Sequence, residues 1–289
     1  MTFPLALDID GSLSALPATR IGLGHWQEAI RFGCSWPTWR RFQRDLEKLL
    51  PEAYGTVCMG SGDFHHLSHL LLQRLRPTQP VDVVVLDNHP DNKRFPFGIH
   101  CGSWVMHAAR LPQVHCVHVL GITSSDVSWR HAWENHFRPL LGGKLRYWTI
   151  GVDTTWAQRT GLGKRFSAFD NAPALVDRFI SAIPNDMPGP VYLSIDKDVF
   201  APEVARTNWD QGVFRLSDAR RLIDALAGRI VASDITGEIS IHRYATRWKR
   251  WLSAMDQQPD ISPDDLSRWQ AQQIDVNRQL IDWIAAASS

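Results

Sequence analysis

The fold of this chain is decided by residues 81–91, which read VDVVVLDNHPD. Residues 81–86 form a short, largely apolar run, and the loop after it carries Asp87, His89 and Asp91. Strands that are apolar on both faces belong to parallel sheets covered by helices on each side. Because functional side chains collect at the carboxyl ends of such strands, this stretch predicts both an α/β fold and a site at the sheet edge.

Two further segments repeat this arrangement. Residues 56–59 lead into 60–66, which read GSGDFHH, and the apolar run 191–195 leads into Asp196, Lys197 and Asp198. Other short apolar runs predict strands at 5–9, 115–120, 145–150 and 230–232. Helices are predicted at 67–75, 172–183 and 217–226, the last capped by Ser217. The alternation predicts one α/β domain, built on a parallel sheet, over most of the chain.

The region 241–289 is predicted to be a C-terminal helical extension of a single domain spanning 1–289. Its helix starts at Ser262-Pro263-Asp264-Asp265, with a Ser cap, Pro in the first turn and acids at the positive end of the helix dipole. One helix face then carries positions 266, 269, 273, 276, 280 and 283. We expect this face to pack on its own domain rather than on a second subunit.

Composition excludes several classes of function. The 289 residues include 31 Lys+Arg and 30 Asp+Glu, a net charge of +1, which gives no overall field for nucleic acid or an anionic membrane. No signal peptide and no membrane-spanning run are visible, and the four cysteines form no CxxC pair. We therefore expect a cytoplasmic protein with reduced thiols that acts on a small-molecule substrate.

The polar side chains at the strand ends favour a metal site. Ten of the twelve histidines lie between His65 and His136, and two of them accompany four aspartates in these loops. Oxygen donors favour hard cations, and imidazole shifts the preference towards Mn, Fe or Zn. Four crowded carboxylates would repel one another unless about two divalent cations neutralised them. Two such cations can share a hydroxide that attacks a substrate at neutral pH, so we expect hydrolysis.

These motifs resemble those of the arginase/agmatinase superfamily of dinuclear manganese ureohydrolases. Residues 87–91 match the family's D-A-H-x-D, residues 194–198 match S-x-D-x-D, and 62–65 resemble G-D-H with Phe64 inserted. The resemblance covers about residues 55–240 and implies a three-layer αβα sandwich. It also implies hydrolysis of a guanidino or amidine compound with two Mn²⁺ per chain, with Fe²⁺, Zn²⁺, Ni²⁺ or Co²⁺ as alternatives. Because the family commonly forms oligomers, a homo-oligomer is expected as well.

The resemblance also implies a ligand set. One metal would be held by His65, Asp87, Asp91 and Asp196. The other would be held by Asp87, His89, Asp196 and Asp198, so that Asp87 and Asp196 bridge the pair. The inserted Phe64 leaves His66 as an alternative to His65.

Four further residues are candidates for catalysis or substrate binding. His100 matches approximately the histidine that shuttles protons in the family. The family's D-x-x-E-x-x-P motif supplies a glutamate that grips the guanidinium, but here Glu238 comes one position late, after Gly237, and the proline is missing. In a divergent loop, Trp209 could stack on a cation or planar group and Asp210 could pair with a cation.

Three other functions remain open at this point. The weakened guanidinium motif keeps deacetylase-like amide hydrolysis on the same fold as an alternative. Residues 8–12, DIDGS, resemble the nucleophile loop of haloacid-dehalogenase-type phosphatases, in which Asp8 and Asp10 would act. A metal-free binding module that uses the same crevice is the third.

Overall fold

A parallel sheet of nine strands forms the centre of the computed structural model, which describes residues 3–250 and 261–288. Its strands are β1 (Leu5–Asp8), β2 (Thr19–Gly22), β4 (Val57–Cys58), β5 (Val81–Leu86), β7 (Val114–Ile122), β8 (Leu145–Ile150), β9 (Phe166–Phe169), β10 (Val191–Asp196) and β11 (Ile230–Thr236). They are ordered β2-β1-β4-β11-β10-β5-β7-β8-β9, with every neighbouring pair parallel. Two short strands, β3 (Gly33–Ser35) and β6 (Gly98–His100), form a separate antiparallel pair.

Helices cover both faces of the sheet. They are α1 (Gln27–Ile30), α2 (Trp36–Leu49), α3 (Ser68–Arg74), α4 (Trp104–Ala108), α5 (Phe137–Leu141), α6 (Thr155–Arg159), α7 (Ala172–Asp186), α8 (Leu216–Ala225) and α9 (Pro263–Ala287). Alternate residues of β5 face opposite sides: Val83 and Val85 join the core beneath α2, α3 and α4, whereas Val84 and Leu86 join the core beneath α7, α8 and α9. The predicted three-layer αβα sandwich with a parallel sheet is therefore confirmed.

Sequence periodicity identified the inner strands and missed the outer ones. The run 145–150 matches β8, and 81–86 matches β5. The strands at the two ends of the sheet, β2 and β9, were not predicted. Their sequences, TRIG and FSAF, are partly exposed, because an edge strand has a neighbour on one side only and lacks a continuous apolar run.

The N-terminus of α8 differs from the prediction. The helix begins at Leu216 with Arg215 at the cap position, so Ser217 lies inside the first turn rather than capping it. The carboxylate of Asp218 accepts a hydrogen bond of 2.8 Å from the backbone N–H of Arg215. The acid in the first turn thus satisfies the N–H of the cap residue, whereas the predicted serine cap would have accepted from N–H groups of the first turn.

The C-terminal helix α9 starts as predicted and packs on its own chain. The hydroxyl of Ser262 accepts a hydrogen bond of 3.1 Å from the backbone N–H of Asp265, and Pro263 occupies the first turn. The helix contacts α8 and β11, and Gln273, Val276 and Leu280 along it are buried. Within residues 3–250 and 261–288, no helix combines the length and apolar character needed to cross a membrane.

Candidate metal centre

A cavity of about 120 Å³ opens at the carboxyl ends of β5 and β10. Of the six predicted ligands, Asp87, His89, Asp91, Asp196 and Asp198 line it. The sixth, His65, lies on the 3-10 helix Gly62–Leu67 that follows β4. Sequence order suggested three consecutive strand ends, but β11 lies between β4 and β10 in the sheet, so the 3-10 helix carries His65 across to the aspartates.

The ring of His65 faces three carboxylates. Its Nδ1 atom lies 3.0 Å from Asp91 Oδ2, 3.2 Å from Asp87 Oδ2 and 3.4 Å from Asp196 Oδ2. All four side chains are almost fully buried. Oxygen atoms gathered around one imidazole nitrogen, at distances that leave room for an ion among them, form the donor set expected for a hard divalent cation.

Hydrogen bonds behind His65 fix which nitrogen faces the acids. Ser194 Oγ donates to Asp234 Oδ1 at 2.7 Å, so the hydroxyl accepts from His65 Nε2, 3.0 Å away. The proton of a neutral His65 is therefore on Nε2, and the lone pair of Nδ1 points towards the aspartates. Neither Nδ1 nor Asp87 Oδ2 makes a hydrogen bond within the described residues. Two buried polar atoms without hydrogen bonds, turned towards each other, fit a cation between them.

A second group of ligand atoms adjoins the first. His89 Nδ1 lies 2.9 Å from Asp198 Oδ2 and 3.7 Å from Asp87 Oδ1. Asp87 thus presents one oxygen to His65 and the other to His89, as a bridging ligand would. Asp196 adjoins the first group through Oδ2, 3.4 Å from His65 Nδ1, and its Oδ1 accepts a hydrogen bond of 3.1 Å from the backbone N–H of Asp198.

The charges of this cluster shift the pKa values of its members in the absence of cations. Burial alone would lower the pKa of His65 and of His89, but the facing aspartates raise both well above the usual value. Burial and the charge of Asp198 raise the pKa of Asp196 well above its ordinary range. Without cations the cluster therefore holds protons that bound metal ions would displace.

Neighbouring side chains support the cluster. Trp104, which is fully buried, donates a hydrogen bond of 2.8 Å from Nε1 to Asp91 Oδ2, and its ring lies 4.8 Å from that of His65. Asp91 itself has a left-handed backbone, with φ of 44°, which is rare for residues other than glycine and typical of strained functional loops. At Gly62 an added Cβ would lie 3.1 Å from Asp196 Oδ2, so the absent side chain leaves room for this carboxylate.

The alternative ligand His66 points elsewhere. Its ring packs against Trp39 of α2, with 5.4 Å between the ring centroids, and burial lowers its pKa well below the usual value. The structure therefore brings His65, and not His66, to the aspartates.

His100, the predicted proton shuttle, lies in the cavity wall. Its Nδ1 accepts a hydrogen bond of 3.0 Å from the backbone N–H of Gly102, so the proton of the neutral ring is on Nε2. Burial and the nearby charge of Lys93 lower the pKa of His100 to about 3, which keeps the ring neutral at physiological pH. Its ring stacks on Phe32 at a centroid distance of 5.7 Å.

Trp209 lines the same cavity and is anchored from behind. Its Nε1 donates a hydrogen bond of 3.2 Å to Asp63 Oδ1, and Asp63 Oδ2 accepts one of 2.7 Å from the buried guanidinium of Arg31. The indole is nearly parallel to Phe32, with 6.2 Å between their centroids. Phe32, His100 and Trp209 thus form a continuous aromatic wall beside the predicted metal ligands.

Asp210 belongs to a second, outer cavity of about 640 Å³ that adjoins the first. The two cavities share His89, Lys93, Asp126 and Trp209 as lining residues. The side chain of Asp210 is exposed to this outer space, where it could meet part of a substrate far from the reacting bond.

Glu238 is not where the sequence suggested. It does not line the inner cavity, and its carboxylate pairs with the ammonium group of Lys197 inside the protein. Asn277 of α9 donates a further hydrogen bond of 2.7 Å to Glu238 Oε1. Because Gly237 lies one residue earlier, against Asp196, the glutamate is directed behind the metal loop, and the predicted catalytic contact of Glu238 with substrate is wrong for this structure.

Asp8 and Asp10 do not form a phosphatase site. Asp10 accepts hydrogen bonds from Ser12, Ser61 and Ser240 and lies 3.6 Å from Arg31. Asp8 pairs with Arg20 at 3.3 Å, and neither aspartate lines the cavity described above. Both act as structural groups at the end of β1, so the phosphatase alternative is wrong.

Three lining residues escaped the sequence analysis. Lys93 and Asp126 form an ion pair of 2.9 Å between the two cavities, and Phe32 has a left-handed backbone with φ of 66°. Lys93 could have been found, because it lies two residues after Asp91. Phe32 could not be found from the sequence, because it lies outside every motif and reaches the site through backbone hydrogen bonds with Asp63 and Cys101.

Comparison with known sequences gives little about function. No protein-family model matches the chain. A protein of Thermotoga maritima, described only as uncharacterized, is 27% identical over 195 residues, which cover 67% of this chain. The match spans 62% of that relative's length, less than two thirds.

Comparison with solved structures identifies the fold. Proclavaminate amidino hydrolase from Streptomyces clavuligerus superposes with a TM-score of 0.57 at 16% identity, covering 98% of this chain and 91% of that one. Agmatine ureohydrolase of Thermoplasma volcanium gives 0.53 at 14%, with 98% and 89% covered. Formimidoylglutamase from Bacillus subtilis gives 0.50 at 13%, with 86% and 66% covered. The chain has the arginase-like α/β fold, as the motifs predicted, and these identities fit a divergent sequence.

Proposed function

We propose that this chain is a metal-dependent hydrolase that cleaves a non-peptide C–N bond, as in amidine, guanidino or amide compounds. The observation that carries the proposal is the environment of His65, whose Nδ1 lone pair faces oxygen atoms of three buried aspartates. The similar structures bear the names proclavaminate amidino hydrolase, agmatine ureohydrolase and formimidoylglutamase, which supports the class of bond.

Two divalent cations, with Mn²⁺ as the preferred ion, would be held by the six residues described above. His65, Asp87, Asp91 and Asp196 would hold one, and Asp87, His89, Asp196 and Asp198 the other. When bound, such ions lower the pKa of water, so that it attacks at neutral pH, and polarise the bond under attack.

The chain's own groups would orient the substrate and move its protons. Neutral His100, with its hydrogen on Nε2, would act as a shuttle by first taking up the proton that the attacking water releases and then, as imidazolium, passing one to the leaving nitrogen. The aromatic wall of Phe32 and Trp209, which lines one side of the cavity, would limit access of water there. Asp210 would hold the distant end of the substrate in the outer cavity.

The proposal is tested first by counting metal ions. Protein stripped with a chelator and then dialysed against Mn²⁺ should retain two ions per chain by elemental analysis. His65→Ala should retain fewer, whereas His25→Ala, a matched change at an exposed histidine outside both cavities, should retain two. Wild-type protein that takes up no Mn²⁺, Fe²⁺, Zn²⁺, Ni²⁺ or Co²⁺ would contradict the proposal and favour a binding module.

The loaded protein is then screened against guanidino compounds and N-acyl amines for release of urea, ammonia or acid. We expect turnover of at least one class, abolished by His65→Ala and retained by His25→Ala. Two bound ions without turnover of either class would contradict guanidino and amide hydrolysis by this chain.

A further inference from the structure

We propose that the reacting group of the substrate is electrically neutral, as in a carboxamide, rather than a guanidinium cation. This inference rests on the proposed function and concerns the same cavity. The reaction would be amide hydrolysis: the water oxygen bonds to the carbonyl carbon and the C–N bond breaks, with its electron pair going to nitrogen. The products are a carboxylate and an ammonium ion, which together hold all the atoms of amide and water.

The position that a guanidinium-binding glutamate would occupy carries no side chain. Counting from Asp234, the D-x-x-E spacing falls on Gly237, whose φ is +90°. A Cβ there would lie 2.4 Å from Asp196 Oδ1 and 2.6 Å from the backbone nitrogen of Lys197. No L-residue fits at this point beside the metal loop, so a carboxylate cannot be presented from it.

The adjacent Glu238 is neutralised within the protein. It and Lys197 are both fully buried and form an ion pair, and Lys197 Nζ also donates to Asn277 Oδ1 at 3.0 Å. The backbone N–H of Glu238 donates to the carbonyl of Gly60 at 3.0 Å, which holds the residue in place. Its charge is therefore already balanced by a partner and does not attract a cation into the cavity.

The carboxylates that line the inner cavity already have partners of opposite charge, either the proposed metal ions or a lysine. Four of its five are the proposed metal ligands Asp87, Asp91, Asp196 and Asp198, whose charges two divalent cations would cancel. The fifth, Asp126, pairs with Lys93. Among the residues that the structure describes along this lining, no carboxylate remains for a guanidinium.

The remaining lining favours an uncharged group. Phe32, Trp209 and neutral His100 supply aromatic surface, and the small inner cavity suits the reacting end of a substrate whose remainder lies in the outer cavity. A cation stacked on these rings would gain less than it loses when it leaves water without an anionic partner. A neutral amide loses far less on entering. The balance of charges thus selects against guanidinium.

The experiment uses pairs of compounds that differ only in the reacting group. N-acetyl-1,4-diaminobutane and 4-aminobutylguanidine share a tail, and propyl and benzyl pairs extend the comparison. With manganese-loaded protein we expect kcat/KM at least about ten-fold higher for the acetyl member, and calorimetric titration should give tighter binding of that member. Faster cleavage or tighter binding of the guanidino member overturns this inference and leaves the hydrolase intact. Failure of every pair, with two ions bound, removes the proposed function and this inference with it.

A variant tests the charge argument itself. Lys93→Met would leave Asp126 as an unpaired carboxylate in the inner cavity, and the partly exposed lysine tolerates replacement. We expect guanidino binding to tighten several-fold, with the acetyl preference reduced. Lys93→Met combined with Asp126→Asn, which removes that carboxylate again, should restore the preference. An unchanged preference in Lys93→Met would contradict the role assigned to pocket charge.

Discussion

Two groups of buried acids lie side by side at the carboxyl end of the sheet, and they are balanced in different ways. We call Asp87, Asp91, Asp196 and Asp198 the metal-facing acids, and Asp10, Asp63 and Glu238 the cation-paired acids. Each cation-paired acid meets Arg31 or Lys197 within the protein. Within the described residues, the ionisable partners of the metal-facing acids are His65 and His89, which carry less charge than four carboxylates. Buried acids thus indicate a metal site only where the protein's own cations are missing.

The largest effect is expected from a substitution within the metal-facing acids. Asp87→Asn should lower kcat by about 10³-fold or more and reduce bound Mn²⁺ below two per chain, because Asp87 presents one oxygen to each histidine. Elemental analysis and turnover measure both. Asp275→Asn, an equivalent change on the exposed face of α9, serves as control and should alter neither. Full metal content in Asp87→Asn would contradict the bridging position.

The cation-paired group should respond in stability instead. Lys197→Met leaves the charge of Glu238 buried without a partner, and removing one member of a buried pair costs about 3–5 kcal/mol of unfolding free energy. Urea denaturation of the metal-free protein measures the loss. Adding Glu238→Gln to the variant should recover much of it, because the amide needs no counter-charge. Equal stability of the single and double variants would argue against the pairing.

A smaller effect should appear in the pH dependence of stability. In metal-free protein the pKa values of His65 and His89 are raised above the value of ~6.5 that a histidine has in the unfolded chain. Protonation of these two residues therefore stabilises the fold fully below pH ~6.5, and this stabilisation is lost as the pH rises through the raised pKa values. Bound Mn²⁺ replaces those protons. The difference in Tm between manganese-loaded and chelator-treated protein should therefore widen from pH 6 to pH 8. A difference that narrows would mean that the cluster holds no displaceable protons.

The smallest effect concerns the contact between the two groups. Trp209→Phe removes the hydrogen bond from Nε1 to Asp63, worth about 0.5–1.5 kcal/mol, while the Arg31–Asp63 pair remains. Unfolding free energy should fall by that amount, and KM should rise several-fold as the ring loses its orientation. Trp133→Phe, which changes an exposed indole elsewhere, is the matched control. A KM equal to that of the wild type would show that the anchor does not orient the ring.

The difference between the two groups also explains what the sequence could predict. The metal-facing acids could be predicted from the sequence, because Asp87, His89 and Asp91 lie together after one apolar strand, and Asp196 and Asp198 lie after another. These side chains are brought together as soon as the ends of their strands lie at the same edge of the sheet. Inner strands such as β8 could also be predicted from a local pattern, since a continuous apolar run indicates a strand that is buried on both faces.

The pairing of the cation-paired acids could not be predicted from the sequence, because their partners are distant along the chain. Lys197 meets Glu238 41 residues later and Asn277 80 residues later, and Arg31 meets Asp63 32 residues later. No local pattern encodes those pairings. This is why Glu238 was assigned to substrate, and why the anchoring of Trp209 through Asp63 was not foreseen.

The contact of α9 with the metal loop has a consequence for synthesis of the protein. Asn277 supplies an acceptor to Lys197 and a donor to Glu238, next to Asp196 and Asp198. A nascent chain acquires both contacts only when this last helix has left the ribosome. All six predicted metal ligands emerge before it, but the support behind two of them is completed last. Metal capture in its final geometry is therefore expected only after this helix has left the ribosome and packed against the metal loop.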